Sequence, residues 1–407
     1  MKILISAFAF APNTGSEGGV GWRWAMELAK DHEVFVVTDV TRQPAVAPVV
    51  DELPSGLTVL YFRPPALRRM PLNSTTAQLL YALWQVGLYR FARRLHREHR
   101  FDMALHLTYS VFRHPSFLGF LGIPFVFGPL GGGEDAPFVL KRSIHGKEKV
   151  REVLRSIANK LALLDPFLWA SYRAATVILV STEDTRRALP WPFRKRAIVY
   201  SNLGVDAPAQ AIPASRSDTE PLKVLFAGRL LGWKGVHLAI RAVASAARQG
   251  VPVDLKIVGN GTYLAELSRL AVESGVGDRV SWEGHVTQQE LFSFFRSTHC
   301  LLFPSLHDSG GSVVLEAQAH GVPIVCLDLG GPRTLSNEAS AIVVPTAGAD
   351  EEAVVAGLSS ALVTLYRNES ARIQMGWAGI RNAGTMSWEQ RVRGAMALIE
   401  GSMARDA

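Results

Sequence analysis

Cysteine is scarce: of 407 residues only Cys300 and Cys326 carry a thiol, each inside an apolar run. That excludes a disulfide-stapled scaffold and fits two buried thiols in a reducing compartment. Long apolar stretches are also missing. The best candidate, residues 117–130, is broken by Gly119, Gly122, Pro124, Gly128 and Pro129, so no transmembrane helix is expected. Nor does an Asp-x-Asp pair follow a strand-like run, so neither a divalent metal nor another cofactor is expected. Charged residues make up only 19% of the chain and hydrophobic ones 48%, which places it among globular proteins, with length for two cores.

The charge that is present is unevenly spread. Net charge is +7, but residues 1–205 hold 26 Lys+Arg against 16 Asp+Glu, leaving +10 there and −3 in the remainder. The first half is therefore expected to face something anionic. A candidate helix over 75–100 carries Arg90, Arg93, Arg94, Arg97 and Arg100 among Tyr81, Trp84, Tyr89 and Phe91, and a second basic stretch runs from Lys141 to Lys160. No nucleic-acid motif accompanies them, so nucleic acid is not an expected partner; an anionic membrane surface is.

Periodicity alternates strand and helix throughout, the pattern of an α/β protein with parallel sheets. Residues 2–10 read as a first buried strand rather than a secretory leader. Asn13–Gly21 reads as a glycine-rich loop, with Gly15, Gly18 and Gly19, entering a helix at about Val20–Lys30; a strand at Glu33–Thr38 follows. A dinucleotide fingerprint is disfavoured, because Trp22, Arg23 and Trp24 stand where a small residue should let helix and strand pack. The glycines instead keep the loop thin enough for a ligand to reach its backbone. His106 and the run Gly131-Gly132-Gly133-Glu134 each end a strand, where open parallel sheets bind ligands. Residues 207–220 have the composition of a linker.

Beyond it, strand Lys223–Ala227 leads into Gly228-Arg229-Leu230-Leu231-Gly232-Trp233-Lys234-Gly235 and a helix. Arg229 and Lys234 thus share a strand-to-helix loop, where a planar fork and a mobile ammonium suit a phosphate. Further strands are expected at Leu255–Val258, before Gly259-Asn260-Gly261, and at Val280–Gly284, before His285. Residues 301–331 form a strand, a loop holding Asp308, Ser309, Gly310 and Gly311, a helix with Ser312 as N-cap, Gly321 at its end, and another strand at Val322–Leu327. Asp308 in the loop and Glu316 one turn into the helix have seven residues between them.

The acid pair resembles the Glu-x7-Glu element of family 4 GT-B glycosyltransferases, which are retaining and use nucleotide sugars, with Asp308 in place of the first Glu. Gly228-Arg229 with Lys234-Gly235 is similar to that family's diphosphate loop, and Ser201–Asp206 to the segment leaving its first domain. The resemblance implies two Rossmann-like domains facing a central cleft. Residues 1–205 would bind acceptor, 206–388 would bind the nucleotide sugar, and 389–407 would form a helix returning to the first domain. It implies catalytic roles for Arg229 and Lys234 at the diphosphate and for His106 and Asp308 near the sugar. Glu316 would serve the ribose, and Gly15, Gly18, Gly19, Gly133, Glu134, Asn260, His285, Ser309, Gly310, Gly311 and Ser312 would line the substrates. The implied reaction moves a sugar from a nucleoside-diphosphate sugar to a hydroxyl of a lipid-linked or other glycan acceptor, in the cytoplasm or at the inner membrane face. The alternative is a GT-B-like sugar-nucleotide-binding protein or epimerase without transfer.

Overall fold

Apolar, β-branched runs such as Lys2–Ala7 (KILISA) and Cys300–Phe303 (CLLF) are buried along nearly their whole length, as parallel strands covered on both faces must be. The computed structural model describes residues 1–407 with the exception of Ser16, Ser74, Thr75, Ala209, Ala407 and the side chains of Arg405 and Asp406. In the first half the strands are β1 (Lys2–Ala7), β2 (Glu33–Asp39), β3 (Leu57–Phe62), β4 (Met103–Thr108), β5 (Phe125–Leu130), β6 (Val177–Val180) and β7 (Ala197–Val199). They form one parallel sheet ordered β3-β2-β1-β4-β5-β6-β7. In the second half β8 (Leu222–Ala227), β9 (Val253–Val258), β10 (Val280–Gly284), β11 (Cys300–Phe303), β12 (Ile324–Leu327) and β13 (Ala341–Val344) form another, ordered β10-β9-β8-β11-β12-β13.

Both orders are doubly wound and reverse beside the first strand of the sheet, between β1 and β4 and between β8 and β11. Such switch points open a crevice beyond the carboxyl ends of the strands. The sequence reading assigns no strand to 57–62 or 341–344. Both lie at sheet edges and are only partly buried, so neither shows the uninterrupted apolar signature of a central strand.

Packing divides the chain into two units. The first comprises Met1–Gly133, Ala158–Gly204 and Trp388–Ala407; the second comprises Glu134–Ile157 and Val205–Ser387. The expected first domain of 1–205 is thus interrupted, because residues 134–157 pack into the second unit. Ser143 donates from its N–H and hydroxyl to Glu351 Oε1 at 3.0 and 2.9 Å, and Tyr263 Oη donates to the Ser143 carbonyl at 3.1 Å. The charge division follows the units: 23 Lys+Arg against 15 Asp+Glu in the first, 20 against 21 in the second.

In the first unit, Trp24 and Trp84 are fully buried and satisfy their indole N–H groups on the carbonyls of Asn202 and Phe62, both at 2.8 Å. The terminal helix Trp388–Asp406 packs in the same unit. Tyr200 Oη donates to the Arg391 carbonyl at 2.6 Å, and the Arg391 guanidinium lies 4.0 Å from the centre of the Tyr200 ring.

Candidate functional site

The second unit's switch point gathers the loops that follow β8 and β11. After β8 the chain makes a tight turn over Gly232–Lys234 and reverses at Gly235, whose φ of 73° is left-handed, before the helix Val236–Arg248. A Cβ at Gly235 would stand 1.9 Å from the carbonyl oxygen of Pro304, so glycine is what lets the two loops touch. The contact brings Lys234 to Asp308: the ammonium and carboxylate form a direct ion pair, both side chains only slightly exposed. The Lys234 ammonium also lies 4.5 Å from the centre of the Trp233 ring and 5.1 Å from that of Phe303. The resemblance implies the cation for a diphosphate and the acid for a sugar; in the ligand-free chain they hold each other.

The helix after β11 runs Ser312–Ala319, and its N-cap is Gly311 rather than the expected Ser312. With φ of 93° and no side chain, Gly311 leaves the first N–H groups of the helix uncapped by its own residue. This is an arrangement that favours an anion. Gly321 takes the left-handed position beyond the helix, at φ 76°. Gly331 N–H donates to the Asp308 carbonyl at 2.6 Å, fixing the acid loop against the start of the next helix. Glu316 is half-buried, and Gln288 Nε2 donates to its Oε1 at 3.2 Å. Burial pushes its carboxyl up to about 7, with the Gln288 hydrogen bond pulling the other way.

Arg229 and His285 are exposed. Asn260 is exposed as well, and its carbonyl accepts from Leu230 N–H at 2.9 Å, tying the β9 turn to the cation loop.

Glu134, placed by sequence at the end of a first-domain strand, belongs to this site. It is buried, and its Oε2 accepts from the Ser309 hydroxyl at 2.7 Å. Arg155 Nη1 donates to its carbonyl at 2.9 Å. Behind it lies a group that the sequence reading does not single out. Glu152 Oε1 meets His307 Nε2 at 2.8 Å, and the His307 ring stacks on Trp233 with centroids 4.3 Å apart. Lys141 and Arg155 approach Glu152 at 3.4 and 3.7 Å and also pair with Asp135. Burial alone would raise the Glu152 carboxyl, but the His307 hydrogen bond and the neighbouring charges outweigh it and hold the group down to about 2. The one available signal was spacing. Glu148 and Glu152 lie four apart in an otherwise basic helix, Gly146–Leu161, and both are buried.

The first unit's candidates look different. Gly18 and Gly19 lie inside the helix Glu17–Leu28, which begins three residues earlier than expected, and both are buried. A Cβ at Gly19 would fall 1.8 Å from the Thr14 carbonyl oxygen, so this glycine serves close packing of the helix on its own entry loop. Gly15 is exposed in the loop. Gly133 N–H donates to Thr185 Oγ1 at 3.2 Å.

His106 is fully buried. Its Nε2 shares a 3.0 Å hydrogen bond with Tyr81 Oη, which accepts from Gln85 Nε2 at 3.0 Å, and its Nδ1 has no hydrogen-bond partner among the described residues. Burial, and to a smaller extent His114, depress it to about 3, so it is neutral at physiological pH. His106, which the resemblance sets near the sugar, is thus a buried neutral ring in the ligand-free chain, hydrogen-bonded to Tyr81 and edge-on to Phe127. Glu17, also missed from sequence, stays exposed as a residue while the atoms packed around its carboxyl push it up to about 7. The Tyr109 backbone hydrogen bond and the Arg42 charge act against that rise.

With this geometry in place, comparison with known proteins is informative. Residues 209–371 match the family described as Glycosyl transferases group 1. D-inositol 3-phosphate glycosyltransferase of Paenarthrobacter aurescens (strain TC1) is 31% identical over 176 residues, 41% of each chain. The matched stretch therefore spans less than half the length of that relative. Among solved structures, Anabaena HepE in complex with UDP aligns over 98% of this chain and 100% of its own, with a TM-score of 0.63 and 15% identity. Sucrose-phosphate synthase from Thermosynechococcus elongatus aligns over 99% of both, with a TM-score of 0.66 and 16% identity. The chain thus has the fold of the GT-B glycosyltransferases, two Rossmann-like α/β units, and its residues 209–371 match the glycosyl transferases group 1 family.

Proposed function

We propose that the protein is a retaining glycosyltransferase that moves a sugar from a nucleoside-diphosphate sugar to a hydroxyl of a glycan or lipid-linked acceptor. The observation that carries this reading is the meeting of Lys234 with Asp308 at the second unit's switch point, beside a glycine-capped helix start. In this reading Lys234 and Arg229 take the diphosphate and stabilise the charge it gains on departure. Lys234 has three N–H donors, so it can hold a phosphate oxygen without wholly releasing Asp308. Asp308 then accepts from a sugar hydroxyl and Glu316 from the ribose. Cations and helix N–H groups supply the electrophilic help, and no metal or other cofactor is required.

The solved Anabaena relative holds UDP, which supports a uridine nucleotide as the first donor base to try. The acceptor falls to the first unit. The protein works peripherally at an anionic membrane surface, a reading supported by its net charge of +7 and by the basic stretch from Lys141 to Lys160. Incubation with a panel of labelled UDP-, GDP- and ADP-sugars and polyprenyl- or glycolipid-type acceptors tests the reaction. Transfer of label, with unchanged anomeric configuration in the product, is expected. Tight nucleotide-sugar binding with no transfer to any hydroxyl, or appearance of an epimer, would replace the transferase reading.

A further inference from the structure

The helix Gly146–Leu161 is built inside out. Its only acids, Glu148 and Glu152, point inward and are 7% and 4% exposed, held by Thr262 Oγ1 at 2.9 Å and by His307 at 2.8 Å. Its aliphatic side chains point outward: Val150, Val153, Leu154, Ile157 and Leu161 are 58, 41, 59, 46 and 60% exposed. Positions 150, 153, 154, 157 and 161 recur at three- and four-residue steps, so they form one continuous stripe along the helix. A carboxylate face turned in and an aliphatic face turned out reverse the usual arrangement of a surface helix, and a contiguous exposed apolar patch marks a contact surface.

The charges around the stripe identify what it contacts. Lys147, Arg151 and Lys160 are exposed on the same helix, with Arg142 just before it, while both acids are hidden. Every exposed charge along this stretch is therefore positive. Two copies of such a face would set cation against cation, whereas an anionic bilayer supplies hydrocarbon to the stripe and headgroup charge to the flanking lysines and arginines.

The arginine helix Ala77–His99 is less suited. Of its aromatics, Tyr81 and Trp84 are buried in the core, and Tyr89 and Phe91 are half-buried, Phe91 stacked on Phe62, so none stands free as a headgroup anchor. Its exposed Leu79, Leu83 and Val86 lie in the first half, and exposed Arg90, Arg93, Arg94 and Arg97 in the second, so cations do not flank the apolar side chains.

We propose that the outer face of the Gly146–Leu161 helix is a docking surface for an anionic lipid bilayer. The aliphatic stripe enters the headgroup–acyl boundary, and Lys147, Arg151 and Lys160 bind lipid phosphates at its rim. This deepens the membrane contact proposed for the transferase and rests on that reading for its purpose, but the test needs neither donor nor acceptor. Failure of docking would leave donor transfer standing, and failure of transfer would leave docking standing.

The full chain is floated with vesicles of phosphatidylcholine alone or mixed with phosphatidylglycerol, at low and high salt. Wild type should bind the anionic vesicles at low salt, and binding should fall as salt rises. L154E/I157E and the milder L154Q/I157Q should each lose at least about tenfold in vesicle affinity, as should K147Q/R151Q/K160Q. R93Q/R94Q/R97Q should bind as wild type does. All changed residues are exposed, and thermal unfolding followed by circular dichroism verifies that each variant folds. Absence of wild-type binding to anionic vesicles at low salt overturns the proposal, as does undiminished binding by both stripe variants. Light scattering that shows a dimer dissolved by L154E/I157E would also overturn it, assigning the face to a second copy of the chain.

Discussion

The two units share a doubly wound sheet, yet they treat polar groups at the switch point in opposite ways. In the second unit the loops after β8 and β11 leave Arg229 exposed and bring Lys234 to Asp308 near the surface, beside a helix start whose N-cap is Gly311. In the first unit the end of β4 is closed: His106 and Thr108 are buried, and Thr108 Oγ1 lies 3.0 Å from both the N–H and the carbonyl oxygen of Ala9. The same topology thus leaves charged side chains at the surface once and buries polar ones once. Topology locates a crevice; side chains decide whether it is open for binding.

Substitution should make this difference measurable. Lys234→Ala or Arg229→Ala should lower turnover at least about a hundredfold, on the order of 3 kcal/mol of barrier, with thermal unfolding little changed. His106→Phe should do the reverse, keeping turnover within a few-fold while shifting the melting temperature, since it alters the Gln85–Tyr81–His106 chain in the core. If His106→Phe instead abolished turnover in a fully folded protein, the first unit would hold a reacting group after all.

A smaller effect should separate residues within the second unit. Glu152→Gln weakens the brace on His307 and, through the stacked Trp233, loosens Lys234. About tenfold lower turnover is expected, and His307→Gln combined with Glu152→Gln should cost little more than either alone, because both act through one contact. Additive losses in that cycle would show two independent routes.

The pH dependence should be gentler still. Glu316 has its carboxyl raised to about 7 by burial, so its contribution to folding is greatest at low pH and is lost as pH rises through that value. Glu316→Gln should therefore raise the melting temperature of the ligand-free chain at pH 8 and leave it nearly unchanged at pH 5. Nucleoside diphosphate should show the opposite trend in wild type, binding more tightly from pH 6 to 8 as the carboxylate forms and can accept from ribose. A pH-independent affinity, equal in Glu316→Gln, would release Glu316 from that role.

What could be read from the sequence follows the same division. The central strands, the cation loop and the acid loop were legible because each couples an apolar run to glycines and charges a few residues apart. Gly321 was legible from its place after a helical run. The role of residues 134–157 was not. The segment is contiguous in sequence with the first sheet's strands, and only tertiary packing of Ser143, Glu134 and Glu152 on Glu351, Ser309 and His307 reassigns it. Composition likewise showed that the 141–160 stretch was basic but not which side chains faced out. Lys141 and Arg155 turn inward to Asp135 and Glu152, while Lys147 and Arg151 remain exposed. Gly19 shows a related limit, since a glycine that admits a ligand and one that admits the chain's own Thr14 carbonyl look alike in sequence.

The central claim is that the second unit holds the donor's diphosphate through its loop cations without a metal. Calorimetric titration of the full chain with UDP and UDP-sugars, in excess EDTA, tests it most directly. Wild type should bind, and Lys234→Ala and Arg229→Ala should each weaken binding at least about tenfold, while His106→Phe binds as wild type does. Binding that appears only when Mg²⁺ or Mn²⁺ is restored, or that is equally strong in all three variants, would contradict the account.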